Sequence, residues 1–313
     1  MIQIMQKKAF TLLEVTLVIV ILGIVASVAS TIISQLYENY MIQRAMHNVS
    51  LKTELAINQI VNRLTYRIEN SVIARRSDGT FIPLQAIEYG VTNTDNAILE
   101  WIGYDNESFE AQNTPGWSGY CDVTATAAPN ISTPGSNLNF TSTVIGNLSN
   151  GNPTLALLFS LGDRRDGNIT SPDSHCFGYN GDTSCIHQSG IVNNTTLSTN
   201  RASGTASISD QYKLAWSAYA IVPVNANALY NDVRDGTIAA EGIPQSFDLE
   251  LRYNYQPWAG NQYTNAPRST LIRNATSFKF SEQGGTIRVK LCATERTAFG
   301  TNVSVCKEKV VIR

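Results

Sequence analysis

Apolar residues crowd one end of the chain and thin out into short runs over the rest. From Val15 to Tyr37 no residue is charged, and the stretch VTLVIVILGIVASVASTII, Val15 to Ile33, has the length of a membrane span. Roughly 20 helical residues, rising about 1.5 Å each, cross a hydrocarbon core of about 30 Å. From Ser34 to about Arg76 neither Pro nor Gly occurs. Over that stretch Met41, Ala45, Val49, Ile57, Ile60, Val61, Leu64, Ile68 and Val72 recur at helical spacings of three and four. The pattern predicts one continuous helix over 10–76, membrane-embedded at about 12–36 and amphipathic afterwards. Ser77-Asp78-Gly79 supplies the turn chemistry that ends it.

After Gly79 the period shortens. Phe247 to Tyr255 alternates apolar and polar residues strictly, the mark of a half-buried strand. Ser277 to Glu282, Thr286 to Cys292 and Val303 to Ile312 continue as antiparallel strands. Leu155 to Leu161 and Leu214 to Val224 are apolar throughout and are expected to be buried under the helix. Two polar, turn-rich stretches, about Tyr104 to Pro153 and about Gly162 to Asp210, read as long surface loops. The expected fold class is α+β: a long N-terminal helix packed on an antiparallel β-sheet head over 77–313.

Hydrophobic residues make up 43% and charged residues 15% of the chain, with a formal net charge of -2, which describes a folded chain with a weakly charged surface. A phosphate backbone calls for a basic stripe, and the doublets Arg75-Arg76 and Arg164-Arg165 are too short to form one, so no nucleic-acid partner is expected. Lys7 and Lys8 precede the span and place the N-terminus on the cytoplasmic side. Glu14 follows four residues that already belong to the apolar run. A carboxylate at mid-membrane costs on the order of 2.5 to 3.5 kcal/mol, so one near the hydrocarbon calls for a partner.

The run KKAFTLLEVTLVIVILGIVA resembles the N-terminus of type IV prepilins and type II secretion pseudopilins. The resemblance implies a leader over 1–9, removed by a prepilin peptidase between Ala9 and Phe10, with methylation of the new N-terminus on Phe10. Glu14 would then pair with the N-terminal ammonium of a neighbouring subunit, which offsets its burial. Ala9 stands where the family usually has glycine, and no proline interrupts the helix near Thr31, which leaves Gly23 as the weak point of the span. The family plan implies a single-pass inner-membrane protein with a periplasmic head that later enters a pilus or pseudopilus. Its partners would be other pilin or pseudopilin subunits, the prepilin peptidase, an inner-membrane assembly platform and membrane lipid. The size of the head favours a minor component, resembling the J-type minor pseudopilin. An ordinary signal peptide cut after Ser27-Val28-Ala29 would instead give a soluble chain starting at Ser30. Glu14 within the apolar region, and an apolar helix that continues through Ile32 and Ile33, argue against that plan.

Five cysteines, Cys121, Cys176, Cys185, Cys292 and Cys306, all follow the span, on the side where disulfides persist. Cys292 and Cys306 lie on adjacent predicted strands joined by a turn-rich segment around Gly300 and are paired on that ground. Cys176 with Cys185 closes a short loop, and Cys121 is left over or exchanges into that pair. His175, Cys176, Cys185 and His187 offer zinc-type ligands without the usual spacing, and oxidised cysteines bind no metal. Asp163, Asp166, Asn168 and Asp173 have oxygen ligands at loop spacing and are weak calcium candidates, calcium being used by the major pseudopilins that the chain resembles. No other cofactor is expected. The three histidines, His47, His175 and His187, stand beside no nucleophile elbow or phosphate loop, so the chain is read as a structural subunit and not an enzyme. An alternative is an adhesin whose head loops bind a ligand through rings such as Trp101, Trp117 and Tyr120.

Overall fold

The computed structural model describes residues 11–87, 97–110, 113–127, 129–151, 153–159, 174–200, 208–225 and 246–312. Helix α1 covers Leu12–Thr65, which at about 1.5 Å per residue makes a rod about 80 Å long. Its only glycine is Gly23, and it contains no proline. Every residue from Thr11 to Tyr40 is exposed, whereas Ala45, Val49, Thr53, Ala56, Ile57, Ile60 and Leu64 form a buried stripe. One helix therefore has two halves, one clothed by the head and one bare.

The sequence-predicted helix limit near Arg76 is corrected to Thr65. Past that point the sheet captures the backbone. The Ile68 N–H donates to the Ile102 carbonyl at 2.8 Å and the Tyr104 N–H to the Tyr66 carbonyl at 2.9 Å. Ile73–Arg75 then forms strand β1. Ile68 and Val72 are buried as the periodicity requires, but against the sheet and out of helical register. Their β-branched side chains suit that environment.

The main sheet has 10 strands, antiparallel at every described pairing. Its members are β1, β2 (Phe81–Pro83), β3 (Ile98–Tyr104), β5 (Leu155–Phe159), β6 (His187–Ser189), β9 (Tyr212–Val224), β10 (Phe247–Tyr255), β11 (Arg268–Gln283), β12 (Thr286–Arg296) and β13 (Asn302–Val311). The order β13-β12-β11-β10-β9-β3-β1-β2 runs from one edge to the other. Strand β9 is the hinge of the architecture. One of its edges pairs with β3 along 215–221, while the other pairs with β10 along 218–224 and, farther along, with β5 along 212–215. A second sheet of 3 strands, β4 (Asn130–Ser132), β8 (Thr196–Ser198) and β7 (Ile191–Asn193), lies in the part of the chain expected to be loop.

Three apolar cores result. The first lies between the buried stripe of α1 and strands β10 to β13, with Trp101, Ile221, Phe278 and Leu291 at its centre. The second covers the opposite face of the sheet and includes Ala218, Ala220, Phe177 and Trp258. There Gly178, at φ +89°, approaches so closely that an added Cβ would lie 2.6 Å from the Trp258 backbone nitrogen, so only glycine fits. The third gathers Trp117, Ile131, Leu138, Ile145, Leu157, Leu197 and Trp216. Strand β5 contributes to the second and third cores, not to the one under α1, and β9 sends only Ile221 and Tyr219 toward the helix. The expectation that both strands lie beneath the helix is corrected accordingly.

The two stretches read as loops contain regular structure. Asn106–Phe109 forms the short helix α2 and Leu138–Ser149 the helix α3. Asn137 caps α3 through its side chain, Leu138, Thr141, Ile145 and Ser149 form its buried face, and Asn150 ends it at φ 54°.

Candidate functional site

The candidate site is the exposed start of α1. Thr11 is the N-cap: its Oγ1 accepts the Glu14 N–H at 3.3 Å. In return Glu14 Oε2 accepts the Thr11 N–H at 3.1 Å and the Thr11 hydroxyl at 3.2 Å. This reciprocal arrangement satisfies two of the donors that a helix start leaves open and sets a carboxylate at the positive end of the helix dipole. The signal T-L-L-E is present in the sequence, and it gives Glu14 a local partner as well as the intersubunit one the resemblance implies. Ala9 and Phe10 lie outside the described residues.

From Leu12 to Leu36 the helix presents apolar side chains on all sides, and the described chain buries none of them. Gly23 has open space around it: an added Cβ would meet nothing within 4 Å. Thr16 and Thr31 return their hydroxyls to the carbonyls of Leu13 and Ser27 at 2.9 and 3.0 Å, so their polar groups are satisfied within the helix and do not oppose an apolar surrounding. Among the described residues α1 is the one helix long and apolar enough to cross a membrane, which fits a single-pass anchor.

The clothed half of α1 is clamped at the sheet edge. Lys309 Nζ reaches Glu54 at 2.6 Å and Asn58 at 2.6 Å, and Lys52 Nζ reaches Glu295 at 3.0 Å. Lys309 holds the Glu54 carboxyl below its ordinary range. These contacts tie β12 and β13 to the helix, so the head and the bare rod share one rigid connection.

Two disulfides are formed, Cys176–Cys185 and Cys292–Cys306, and Cys121 is a buried free thiol. Cys292 and Cys306 are direct cross-strand partners on β12 and β13. Bonded to each other, Cys176 and Cys185 have no thiolate to offer a metal. His187 is buried with Nδ1 3.2 Å from Thr199, whereas the exposed His175 ring packs on Phe81. Among the described residues no group of three or more His, Cys, Asp or Glu side chains converges on one point. The calcium candidates Asp163, Asp166, Asn168 and Asp173 lie outside the described residues.

The open clefts among the described residues of the head include these two. One, of about 710 Å³, is walled by rings that include Tyr104, Phe109, Trp117, Tyr120 and Tyr212. Trp117 is buried and Tyr120 is 48% exposed, whereas Trp101 belongs wholly to the helix–sheet core. The sequence-level grouping of these three rings is corrected: only Trp117 and Tyr120 share a cleft. The other, of about 1000 Å³, contains a buried ion pair that periodicity does not reveal. Arg75 Nε donates to Glu100 Oε2 at 2.7 Å, the Tyr255 hydroxyl donates to Glu100 Oε1 at 2.9 Å, and the rings of Phe81, Tyr179 and Tyr263 lie 5.0 to 5.8 Å from the guanidinium. Burial pushes the Glu100 carboxyl up, against the pull of Arg75.

Among known families, the one described as the Prokaryotic N-terminal methylation motif matches residues 4–30. No curated protein and no solved structure matches the chain. The motif implies pilin-type assembly and prepilin peptidase processing, and it falls on the capping box and the bare apolar helix described above. That motif, joined to a long N-terminal helix on an antiparallel β head, makes the chain similar to type IV pilin-like proteins over its N-terminus and in its fold class.

Proposed function

We propose that the chain is a minor pilin or pseudopilin. In this reading it is cut between Ala9 and Phe10, methylated on Phe10, and assembled through α1 into a type II secretion pseudopilus or type IV pilus, at the tip or in the initiation complex. The observation that carries the reading is the division of α1 into a clothed and a bare half. An apolar rod some 25 residues long is stable only in lipid or against other helices, and passing from one to the other is what assembly of a helical filament requires. In the membrane the Glu14 carboxylate is held by Thr11. In the filament it takes the N-terminal ammonium of the next subunit. Three separate cores, with a second sheet and helix α3 beside the main sheet, make the head large, and a large head is more easily carried once at a tip than repeated along a shaft. The role is structural, with no catalysis and no cofactor assigned.

The test is the mass and N-terminal sequence of the mature protein extracted from membranes. A chain beginning at N-methylated Phe10 is the expected result, and a chain beginning at Ser30 overturns the reading.

A second reading, in which the head binds a ligand while α1 anchors it, is favoured by one observation. The exposed rings of Tyr120 and Phe109 line a common cleft with the buried Trp117 and with Lys213, and exposed rings beside a cation are ordinary recognition chemistry.

A further inference from the structure

The turn between β12 and β13, Thr297 to Thr301, reaches back along α1 to the point where the bare half begins. There the Phe299 ring meets the Tyr37 ring edge-on at 6.0 Å between centroids. Phe299 is 52% exposed although its neighbours in the turn, Thr297, Gly300 and Thr301, are small or polar. Tyr37 and Tyr40, one turn apart on α1, are exposed at the same level. Three exposed rings thus share one height on the molecule, just beyond the uncharged stretch and beside its first charge, Glu38.

The height can be placed against a bilayer, and this step rests on the reading of α1 as a membrane span. Tyr37 follows Glu14 by 23 positions, about 34 Å along the axis, or about 32 Å after a tilt of about 20°. With Glu14 at the inner edge of a hydrocarbon core about 30 Å thick, the Tyr37 backbone lies a few ångströms beyond the outer edge, inside a headgroup layer about 5 to 7 Å deep. The centroid separation of 6.0 Å is also the largest depth difference the two rings can have, whatever the tilt. The turn cannot swing away freely, because the Cys292–Cys306 bond and the Lys52–Glu295 ion pair hold its base to the partner strand and to α1.

We propose that the β12–β13 turn is an interfacial membrane anchor: Phe299, with Tyr37 and Tyr40, seats in the headgroup layer of the outer leaflet and holds the head upright against the bilayer before assembly. Aromatic side chains prefer that layer, where one end of the ring is apolar and the other wet. Extraction of the subunit into a filament then includes withdrawal of this turn from lipid.

The test uses the full chain reconstituted in phosphatidylethanolamine–phosphatidylglycerol vesicles whose acyl chains carry bromine either near the headgroup or deep in the core. The four native tryptophans lie in the head, three of them at 3% exposure or less and Trp216 at 7%, and they give the baseline. Phe299→Trp is expected to add emission quenched at least twofold more by shallow than by deep bromine, while a Val25→Trp control is quenched most by deep bromine. If Val25→Trp is quenched and Phe299→Trp stays at the baseline, the turn rests in water and the proposal fails. If neither is quenched, the span itself is absent and both readings fall. Emission from Phe299→Trp that is insensitive to bromine but shifts with protein concentration assigns the turn to a neighbouring subunit, and that too overturns the lipid assignment.

Discussion

Asp105 stands where β3 leaves β9, and it holds the junction with every polar group it has. Its N–H donates to the Leu214 carbonyl at 2.7 Å, its carbonyl accepts the Trp117 indole N–H at 2.8 Å, and its carboxylate caps α2 through the Ser108 N–H and hydroxyl. Burial pushes this carboxyl up to about 6 against the restraint of the Ser108 bonds, and the nearby Glu107 adds to the rise. A carboxyl raised in the folded state binds more protons than its unfolded counterpart between about pH 4 and 6. Its contribution is therefore fully present below that window and is lost as pH rises through it, by up to roughly 3 kcal/mol. Asp105→Asn keeps a capping acceptor and removes the titration. In denaturant melts, the stability of this variant relative to the natural chain is expected to improve by about 1 to 3 kcal/mol between pH 4.5 and pH 7. Because burial also raises Glu100 and Glu282, the difference between the two proteins, not either curve alone, is the readout. A gap independent of pH would show that Asp105 titrates in its ordinary range.

At the scale of elements, β13 is the edge of the main sheet, and three devices fix it: ten register pairs with β12, the Lys307 and Lys309 contacts to Glu54, and the disulfide. The bond links residues 14 apart in sequence, and a loop of about that size is worth about 3 kcal/mol on the chain-entropy account. Replacing both Cys292 and Cys306 by alanine is expected to lower stability by about 2 to 3 kcal/mol and to speed amide exchange in β12 and β13 before that in β9. Uniform exchange across the sheet would place the effect elsewhere. What was legible at this scale followed from unbroken local patterns. Phe247–Tyr255 alternates because one face lies on the α1 core, and its limits coincide with β10. Ser277 to Glu282, Thr286 to Cys292 and Val303 to Ile312 followed in the same way and fall on β11, β12 and β13, whereas the first half of β11, 268–276, and the end of β12, 293–296, lie outside those runs. The end of α1 was hidden because Leu64, Ile68 and Val72 keep a helical spacing while the backbone switches to pairing with β3, a long-range effect with no local signal. Helix α3 was hidden by its composition, since Asn, Thr and Ser dominate a segment whose buried face is only Leu138, Thr141, Ile145 and Ser149. The Arg75–Glu100 pair joins positions 25 apart and exists only once β1 pairs with β3. In the site the apolar span and Glu14 stood out as composition. The Thr11 cap was present as a motif but is overshadowed by the anomaly of the charge.

For the whole molecule, the decisive property is that the two ends of α1 have different solvents. None of the three cores contains a residue before Ile42, and the described contact between the bare half and the head is the Tyr37–Phe299 pair. The head therefore owes its folding to residues that remain when 1–36 are removed, and the shortened chain retains the buried stripe from Ala45 to Leu64 together with its clamps to β12 and β13. A chain starting at Tyr37 is expected to partition into the aqueous phase of a detergent phase separation, whereas the full chain goes to the detergent phase. Its melting temperature in detergent-free buffer should lie within a few degrees of that of the full chain in detergent, because about 25 exposed residues contribute no packing to the native state. A fall of more than about 10 °C, which for a domain of this size corresponds to several kcal/mol, would mean that the apolar half of α1 folds back on the head and that the two halves are not independent. With partition and melting as expected, the shortened chain is also the reagent that separates the two functional readings. If Tyr120→Ala in it abolishes capture of a soluble ligand, the cleft has a recognition role of its own. If no ligand is captured by the head at all, the head serves assembly.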